Sequence, residues 1–401
     1  MRTVGTVVRG IRTPIIKEKD DLENIVIDSL LKACKEENFE IRDHDVMAIT
    51  EAVVGISEGN YVSVDTIAKD IKSKFPSGEF AVVFPSPMSR NRFAILLKAM
   101  ARAADKLTLI LSYPHDEQGN SLFNEELLDK YNINPYSDVL TFDKYKELFG
   151  KEVHVFTGVN YVTYYQELVQ NENCEVDFVF TNQASDALKY SKNFLVANIQ
   201  GREKTKKILE ENGAFIVYGT DEIMRSSIDG SGCNSKYGLL GSNKSTEERV
   251  KLFPEHGEKL VTNIQNRIRE LTGKEIEVMI YGDGAFKDPV GGIWELADPV
   301  VSPAYTKGLE GTPNEIKLKY FSDNKFSDLK GEELNKAMKE EIKSKDNNLK
   351  GNMASQGTTP RRLSDLIGSL ADLTSGSGDK GTPMVYIQGY FDNYASEDND
   401  E

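Results

Sequence analysis

Apolar and polar residues recur along the chain with two different periods, and the period predicts which segments are strands and which are helices. Short apolar runs at residues 3–8, 46–50 and 276–280 predict strands. Helical spacing of apolar residues predicts helices over 25–34 and, near the C-terminus, over 363–373. The ends of the chain therefore combine strands and helices in the manner of an α+β protein.

The middle of the chain follows a stricter alternation of strand and helix. A helix is predicted over 92–104, and the buried-type strands around it are predicted at 80–84, 107–112, 176–181, 194–199 and 214–218. Alternation of this kind is typical of a parallel α/β layer. We therefore expect a two-domain α+β protein, in which 1–79 and 221–394 form a discontinuous core, 80–220 form an inserted α/β domain and 395–401 form an acidic tail.

Charge and composition exclude several classes of function. A formal net charge of −15 opposes binding to a phosphate backbone, so nucleic acid is not expected as a partner. No apolar run is long enough to span a bilayer, and residues 1–12 do not resemble a signal peptide. Cys34, Cys174 and Cys233 lack paired spacing, which argues against disulfides and zinc and predicts a cytoplasmic protein. With four histidines, a Ser-His-Asp triad or a histidine metal site is a poor candidate.

The strongest local motif is the glycine-rich stretch at residues 374–383, Thr-Ser-Gly-Ser-Gly-Asp-Lys-Gly-Thr-Pro. It lies between a predicted helix and a predicted strand at 384–388. Three glycines leave the backbone free to curve and point N–H groups at an anion, and one lysine adds a positive charge. The stretch is equally compatible with a plain glycine-rich connection. It is not a Walker A loop, because the Gly-Lys-Ser/Thr ending before a helix is missing.

Two aspartates in glycine-rich turns are candidate metal ligands. Asp229 lies in Ser-Ile-Asp-Gly-Ser-Gly, and Asp283 lies between Gly282 and Gly284 after a predicted strand. Carboxylates in such turns leave room for a hard cation that also binds water and phosphate oxygens. The alternative is ordinary turn chemistry, in which the aspartate bonds its own backbone.

Two arginine pairs are candidate anion or substrate sites. Arg361 and Arg362 stand at a predicted helix start, and Arg90 and Arg92 follow a predicted strand of the inserted domain. Guanidinium groups at helix starts and sheet ends bind carboxylates and phosphates well. The alternative for each pair is a solvated helix start.

Taken together and in this order, the motifs resemble coenzyme F(420)-0:L-glutamate ligase, the GTP-dependent family that adds glutamate in γ-linkage to a deazaflavin coenzyme precursor. The resemblance covers about residues 1–75 and 220–394. The segments that carry it are 11–22, 46–59, 227–234 with Leu239 and Leu240, 281–283, and 375–382 with the strand to Gly389.

The resemblance implies a concrete activity. The family consists of homodimers that transfer the terminal phosphoryl group of GTP to a carboxylate, and the glutamate amine attacks the resulting acyl phosphate. Its substrates are small molecules: the nucleotide, glutamate and a carboxylate acceptor. Two divalent cations, Mg²⁺ or Mn²⁺, hold the phosphates, and by position Asp229 and Asp283 would bind the first. The residues that would line the nucleotide are Thr13, Pro14, Ile15, Ile16, Glu51, Ala52, Asn234, Ser375, Gly376, Ser377, Gly378, Asp379, Lys380, Gly381 and Thr382.

The sequence departs from the family pattern at several positions. Ile56 replaces a lysine, Gly284 a threonine and Ser377 a glutamine, and Lys287-Asp288-Pro289 replaces an arginine-tryptophan segment. These departures leave open the second metal, GTP against ATP, and the acceptor. A second hypothesis is thus a non-catalytic nucleotide- or metabolite-binding protein. A third is another phosphate-transferring enzyme whose inserted domain selects the substrate. The sequence assigns no catalytic residue.

Overall fold

A computed structural model describes residues 3–87, 90–154, 157–282, 286–287, 294–295, 300–355, 361–375 and 378–396. The chain forms two compact units. The first consists of Met1–Val54, His256–Gly284 and Val301–Glu401, and the second of Gly55–Glu255 and Ala285–Val300. Each unit is built around its own sheet. The domain boundaries expected from the sequence remain a prediction.

The first unit contains a mixed five-stranded sheet in the order β1-β16-β2-β12-β15. β2 and β12 are parallel, whereas β16 runs antiparallel to both β1 and β2. The strands are β1 (Val7–Ile11), β2 (Val46–Thr50), β12 (Glu277–Tyr281), β15 (Ala304–Tyr305) and β16 (Met384–Gln388). The helices are α1 (Leu22–Glu37), α9 (Gly257–Thr272), α10 (Leu318–Asp323), α11 (Gly331–Lys343) and α12 (Leu363–Ser375), and α2 (Glu51–Glu58) begins here.

Both faces of this sheet are covered, because alternate residues of each strand point to opposite sides. On one side Met47 and Ile49 of β2 join α1 and α9 in a single apolar cluster. On the other side Val46 and Ala48 pack with Ile367 of α12. Asp21 caps α1 by accepting a hydrogen bond from the backbone N–H of Asn24 at 3.2 Å. The central strands are therefore rigid supports for the loops that follow them.

The second unit contains a six-stranded sheet in the order β6-β7-β5-β4-β8-β9, in which β6 alone is antiparallel. Its strands are β4 (Glu79–Val83), β5 (Lys106–Leu111), β6 (Leu140–Thr141), β7 (Glu175–Phe180), β8 (Asn193–Val196) and β9 (Ile216–Gly219). The helices around it are α3 (Val64–Lys74), α4 (Ile95–Ala103), α5 (Glu126–Tyr131), α6 (Phe142–Phe149), α7 (Tyr161–Asn171) and α8 (Arg202–Glu211).

Helices cover both faces of this sheet too. Phe80 and Val82 of β4 pack in the cluster that includes α3, α4 and α7, while Ala81 and Val83 pack with Leu209 of α8. A π-helical turn, Arg90–Ala94, precedes α4. Shorter strands complete the unit: β3 (Tyr61–Ser63), β10 (Asn243–Thr246) and β11 (Arg249–Lys251) form one sheet, and β13 (Phe286–Lys287) pairs with β14 (Trp294–Glu295).

The α+β class expected from the sequence is confirmed. Two elements differ from the expectation. The first strand is Val7–Ile11 rather than 3–8, because its hydrogen bonds are made with the five residues of β16, from Gln388 opposite Val7 to Met384 opposite Ile11. In the charged stretch 309–350, the spacing of Leu334, Met338 and Ile342 predicts one helix. The stretch holds two, since Asn324 closes α10 and Phe326 packs between α10 and α11. None of the described helices has the length and apolar character needed to cross a membrane.

Candidate functional site

Four segments of the first unit come to one edge of the five-stranded sheet. The parallel strands β2 and β12 both end there, at Thr50 and Tyr281. β16 runs the other way and begins there at Met384, and β1 ends there at Ile11, opposite Met384. The chain segments that follow β1 and β2, and the glycine-rich stretch that precedes β16, are therefore neighbours. The predicted nucleotide residues at this edge are Thr13, Pro14, Ile15, Ile16, Glu51, Ala52, Ser375, Gly378, Asp379, Lys380, Gly381 and Thr382.

Hydrogen bonds fix the glycine-rich stretch to the strands beside it. The backbone N–H of Thr50 donates to the carbonyl oxygen of Pro383 at 2.9 Å. The Nε of Arg12 donates to the carbonyl oxygen of Lys380 at 3.2 Å. Thr382 donates its hydroxyl to the carbonyl oxygen of Ser375 and so closes the stretch into a loop. The loop is thus held from both sides.

Two glycines give this loop its shape. Gly378 has φ +84° and Gly381 has φ +65°, values that residues with a Cβ seldom adopt. The residues from Gly378 to Gly381 are exposed, including Lys380. Turns of this type direct backbone N–H groups outward, and together with a lysine they bind phosphate oxygens. The loop thus has two left-handed glycines and an exposed lysine, the features on which the predicted phosphate site depends.

Two buried side chains, Glu51 and Tyr281, lie at this edge of the sheet. Glu51, the first residue of α2, is 5% exposed and follows the buried strand β2 directly. Tyr281 is 1% exposed, and its hydroxyl lies beside the hydroxyl of Ser375. Burial raises the pKa of Tyr281 to about 12; the Ser375 hydroxyl acts in the opposite sense and the charge of Asp372 in the same sense. Tyr281 is therefore a neutral hydrogen-bond donor at physiological pH.

The segment that follows β1 is more exposed to solvent than Glu51 and Tyr281. Thr13 donates its hydroxyl to the carbonyl oxygen of Pro14 at 2.8 Å. Ile15 is 88% exposed, whereas Ile16 packs against the apolar cluster of α1 and α9. Ile15 is therefore an exposed apolar side chain in the segment that follows β1.

Asp229 and Asn234 belong to the second unit. Asp229 has φ +52°, and its carboxylate, 75% exposed, accepts a hydrogen bond from the ammonium group of Lys69 at 2.6 Å. Asn234 is 2% exposed and is committed to the backbone. Its amide nitrogen donates to the carbonyl oxygens of Phe253 and Pro254 at 3.2 and 3.1 Å, and its amide oxygen accepts from the N–H groups of Lys236 and Tyr237 at 3.1 and 2.7 Å. Asn234 supports its own loop here.

The remaining predicted residues divide into two groups. Asp283, Gly376 and Ser377 lie outside the described residues, as does the side chain of Arg90. Arg361 and Arg362 are exposed just before α12. Since Ser375 is the last residue of that 13-residue helix, they stand about 20 Å from it along the helix axis. The two arginines are therefore not part of the edge that carries the loop.

The metal site predicted at Asp229 and Asp283 is only partly covered by the described residues. Among them, no group of three or more His, Cys, Asp and Glu side chains has an arrangement that would hold a metal ion. Asp283, one of the two predicted ligands, is not among them. Both metal ligands accordingly remain predictions.

Sequence reasoning assigned no separate role to Tyr281 or Arg12. The available signal for Tyr281 was its position as the last residue of a buried strand before Gly282. No such signal exists for Arg12, because its bond to the Lys380 carbonyl joins residues 368 positions apart.

Comparison with known proteins adds one family. A family model described as F420-0:Gamma-glutamyl ligase matches residues 10–389, which include the segment 80–220. A search of curated proteins found no match.

Proposed function

Since the chain belongs to the F420-0:gamma-glutamyl ligase family, we propose that it is a GTP-dependent ligase that joins glutamate to a carboxylate acceptor through an acyl phosphate. The acceptor we propose is the deazaflavin coenzyme precursor. The observation that carries this proposal is the loop Gly378–Thr382, which lies at the sheet edge where β1, β2 and β12 also end.

The reaction needs positioning and charge neutralisation more than it needs a protein nucleophile. In the first step a carboxylate oxygen of the acceptor attacks the γ-phosphorus of GTP, and GDP leaves. In the second step the glutamate amine attacks the acyl carbon, inorganic phosphate leaves with the bonding electron pair, and the amine loses a proton. Exposed N–H groups of the loop and the ammonium group of Lys380 hold the phosphates. Ser375, whose carbonyl oxygen accepts a hydrogen bond from the Thr382 hydroxyl, holds the base of the loop in place.

We propose Asp229 and Asp283 as ligands for Mg²⁺ or Mn²⁺. A bound divalent cation would neutralise phosphate charge and orient the phosphate oxygens. Asp229 fits this role in chemistry, because its exposed carboxylate offers hard oxygen ligands. Its present partner, Lys69, is 63% exposed, and exposed ion pairs are exchanged at little cost.

The proposal is tested by measuring GDP formation with Mn²⁺ present, with glutamate and the deazaflavin precursor each added or omitted. We expect GDP only when both are present, and more with GTP than with ATP. Phosphate release that is independent of any amino acid contradicts the ligase. Nucleotide binding without turnover supports instead the hypothesis of a non-catalytic binding protein.

A substitution in the glycine-rich loop tests whether the loop binds the nucleotide. Lys380→Ala removes a charged donor and should raise the KM for GTP about tenfold with a smaller change in kcat. Lys35→Ala, which removes an exposed lysine in the last turn of α1, is the matched control and should leave the KM unchanged. Equal effects of the two substitutions would remove the loop from the site. The homodimer and the cytoplasmic location remain predictions.

A further inference from the structure

The parallel strands of the second unit end at an edge of the sheet that favours ligand binding. Numbered by their order in the chain, its five parallel strands lie across the sheet as third, second, first, fourth and fifth. In such sheets ligands bind in the crevice where the order reverses, beyond the ends of the first and fourth strands. Those strands are β4 and β8, and the segments that follow them therefore lie where a ligand is expected.

The segment between β8 and α8 directs three consecutive backbone N–H groups at one carboxylate. Ile199, Gln200 and Gly201 donate to the side chain of Glu117, the last two at 3.1 and 3.2 Å. Glu117 belongs to the loop after β5, 82 to 84 residues earlier in the chain than its donors. Consecutive N–H groups at a helix N-terminus, together with the helix dipole, form a site for an anion. In this structure the Glu117 carboxylate occupies that site.

A buried amide beside this site has an unused acceptor. Asn198 is 5% exposed, and its amide oxygen has no hydrogen-bond partner among the described residues. A Cβ on Gly201 would stand 2.6 Å from the Asn198 amide nitrogen and 4.0 Å from a Glu117 carboxylate oxygen, so the amide lies beside the anion site. Buried polar groups are nearly always hydrogen-bonded in folded proteins. An ionised carboxylate has no proton to donate to this oxygen, whereas a protonated phosphate oxygen has one.

Three buried hydroxyl groups line a cavity at the same edge. Ser86, Thr220 and Ser242 are 7%, 3% and 1% exposed, and their hydroxyl oxygens find no hydrogen-bond partner in the part of the chain that the structure describes. The wall of this cavity also includes Gln118 and Ile199. The cavity measures about 60 Å³, and at roughly 15 Å³ for each water-sized group it takes about four such groups. It is too small to be the ligand site by itself, but it adds hydrogen-bonding capacity beside the anion site.

The side chain of Glu117 is free to leave the site while its loop stays in place. Its neighbour Asp116 is 7% exposed and accepts from the N–H groups of Gln118 and Asn120 at 3.0 and 2.9 Å. The N–H of Gly119 donates to the Asp116 carbonyl oxygen at 2.9 Å. These bonds fix the turn around Glu117, which is itself exposed. Rotation of one side chain therefore opens the anion site.

The other charges at the start of α8 do not block an anion. Arg202, the first residue of the helix, donates to the carbonyl oxygen of Ile199 at 2.8 Å and pairs with Asp221 at 2.6 Å. That pair is neutral overall. Glu203 is 76% exposed, and salt and solvent screen its charge. Glu117 is thus the main competitor of an incoming anion.

We propose that the N-terminus of α8 binds a phosphate group in competition with Glu117. The N–H groups of Ile199, Gln200 and Gly201 hold the phosphate oxygens, and the amide oxygen of Asn198 accepts from a protonated one. Free phosphate and the phosphate end of a small metabolite present the same group to this site. The site does not involve the glycine-rich loop, so it is tested apart from the ligase activity.

Inorganic phosphate is the probe, titrated into the full-length protein by calorimetry at constant ionic strength. Glu117→Ala removes the competitor, and we expect it to bind phosphate about tenfold more tightly than the parent protein, as for a site that its own side chain fills about nine-tenths of the time. Glu210→Ala removes an exposed carboxylate in the last turn of α8; it is the matched control and should bind as the parent does. The glycine-rich loop is the same in all three proteins, so the difference between them reports on α8. No binding by Glu117→Ala, or an affinity equal to that of the parent, overturns the proposal.

The backbone amides distinguish a ligand site from a structural role of Glu117. In Glu117→Ala, phosphate should shift the amide NMR signals of Ile199, Gln200 and Gly201 and raise the thermal unfolding midpoint. If the variant is less stable than the parent, phosphate does not restore it and these signals do not move, then Glu117 serves only to cap α8, and the proposal is wrong.

Methyl phosphate distinguishes the two sources of the phosphate group. If it binds Glu117→Ala as tightly as inorganic phosphate does, the site accepts the end of a metabolite. If it binds at least tenfold more weakly, the ligand is free phosphate. Either result supports the site, whereas failure of both probes overturns it.

Discussion

Two regions of the molecule bury polar side chains, and they treat them differently. At the start of β2, Asp45 is 1% exposed and its carboxylate is surrounded by donors. One oxygen accepts from the Tyr386 hydroxyl, the Gln388 amide and the Arg42 N–H at 2.7, 3.0 and 2.9 Å, and the other accepts from the Gly389 N–H at 3.3 Å. The cavity of the second unit instead leaves three hydroxyls without a partner in the described chain.

The difference shows what identifies a binding site. A buried polar group with every partner in place stabilises one conformation and has nothing left for a ligand. A buried polar group beside a cavity and without a partner has its bonding capacity free. Burial of a polar residue therefore indicates a binding site only when its hydrogen-bond partners are known to be missing, and substitutions at Asp45, Asp116, Ser242 and Glu248 test this contrast.

The largest effect is expected at Asp45. Asp45→Ala leaves the Tyr386 hydroxyl and the Gln388 amide without their acceptor, and we expect a loss of about 3 kcal/mol in the free energy of unfolding, measured by urea denaturation. Asp43→Ala is the matched control nearby. Asp43 is 50% exposed and accepts from the Glu275 N–H at 2.8 Å, so its loss should cost about 1 kcal/mol. Equal losses of unfolding free energy in the two variants would show that burial and full hydrogen bonding of Asp45 do not raise the cost of removing it.

A pH-dependent effect is expected at Asp116, in the loop that carries Gln118 to the cavity. Burial, partly offset by hydrogen bonds from Asn120 and Gln118, raises the pKa of Asp116 to about 6. The folded protein thus holds the proton more tightly than the unfolded chain, whose Asp pKa is about 3.9. The stability so gained is complete below that value and is lost as the pH rises through about 6, a change of about 3 kcal/mol.

Asp116→Asn tests this directly. The variant keeps an oxygen to accept from the N–H groups of Gln118 and Asn120, at 3.0 and 2.9 Å in the parent protein. Its stability relative to the parent should therefore improve between pH 4 and pH 7, as followed by denaturation at each pH. A constant difference across that range would refute the raised pKa.

Ser242→Ala should change the free energy of unfolding only slightly, and it should not lower it. Its hydroxyl is 1% exposed and has no partner among the described residues, so removing it costs no hydrogen bond within that part of the chain. We expect stability in the absence of ligand to be unchanged or higher by up to about 1 kcal/mol. A clear destabilisation would place this hydroxyl with the Asp45 cluster rather than with a ligand site.

The smallest effect is expected on the surface, at the charge cluster around Arg102. Arg102 contacts Glu172, Glu248 and Asp65 at 2.9, 2.8 and 2.7 Å. Hydrogen bonds from Arg102 and then Lys98 lower the pKa of Glu248 to about 2. The stability that this provides is present above the unfolded pKa of about 4.3 and is lost as the pH falls through about 2.

Glu248 is 55% exposed, so solvent screens most of this interaction. Glu248→Gln should cost less than about 1 kcal/mol at pH 7, and 1 M salt should shrink the difference further. A loss as large as that of Asp45→Ala would show that exposure does not govern the cost, and the contrast between buried and exposed polar groups would fail.

Much of the fold was predictable because its signals are local. The strands Val46–Thr50 and Met384–Gln388 have the predicted bounds, and those of the second unit lie within one to three residues of theirs. Apolar runs of this length predict a strand without any knowledge of the strand that pairs with it. The first strand was predicted at the wrong position because its bounds depend on pairing with β16. Val7 of the first strand and Met384 of β16 are 377 residues apart in the sequence. The wider, π-helical turn before α4 likewise has no signature in apolar spacing.

The candidate site was predictable in its parts but not in its assembly. Glycine, aspartate and lysine at 378–381 indicated a phosphate loop from composition alone. That Glu51 and Thr13 share its edge follows from strand order, which is non-local and unreadable from a single sequence. The cavity in the second unit was missed for the same reason: Ser86, Thr220 and Ser242 are ordinary loop residues until the sheet brings them together.

The pairing of β3 with β11 has a consequence for protein engineering. Tyr61 lies opposite Lys251, and the N–H of Glu255 donates to the Glu58 carboxylate at 2.8 Å, so a pair of adjacent strands lies close to the two ends of the segment Gly55–Glu255. Paired strands stand about 5 Å apart, a gap that a linker of roughly two residues spans. The segment is therefore suited to excision as a cassette, to circular permutation and to grafting into a surface loop of an unrelated host.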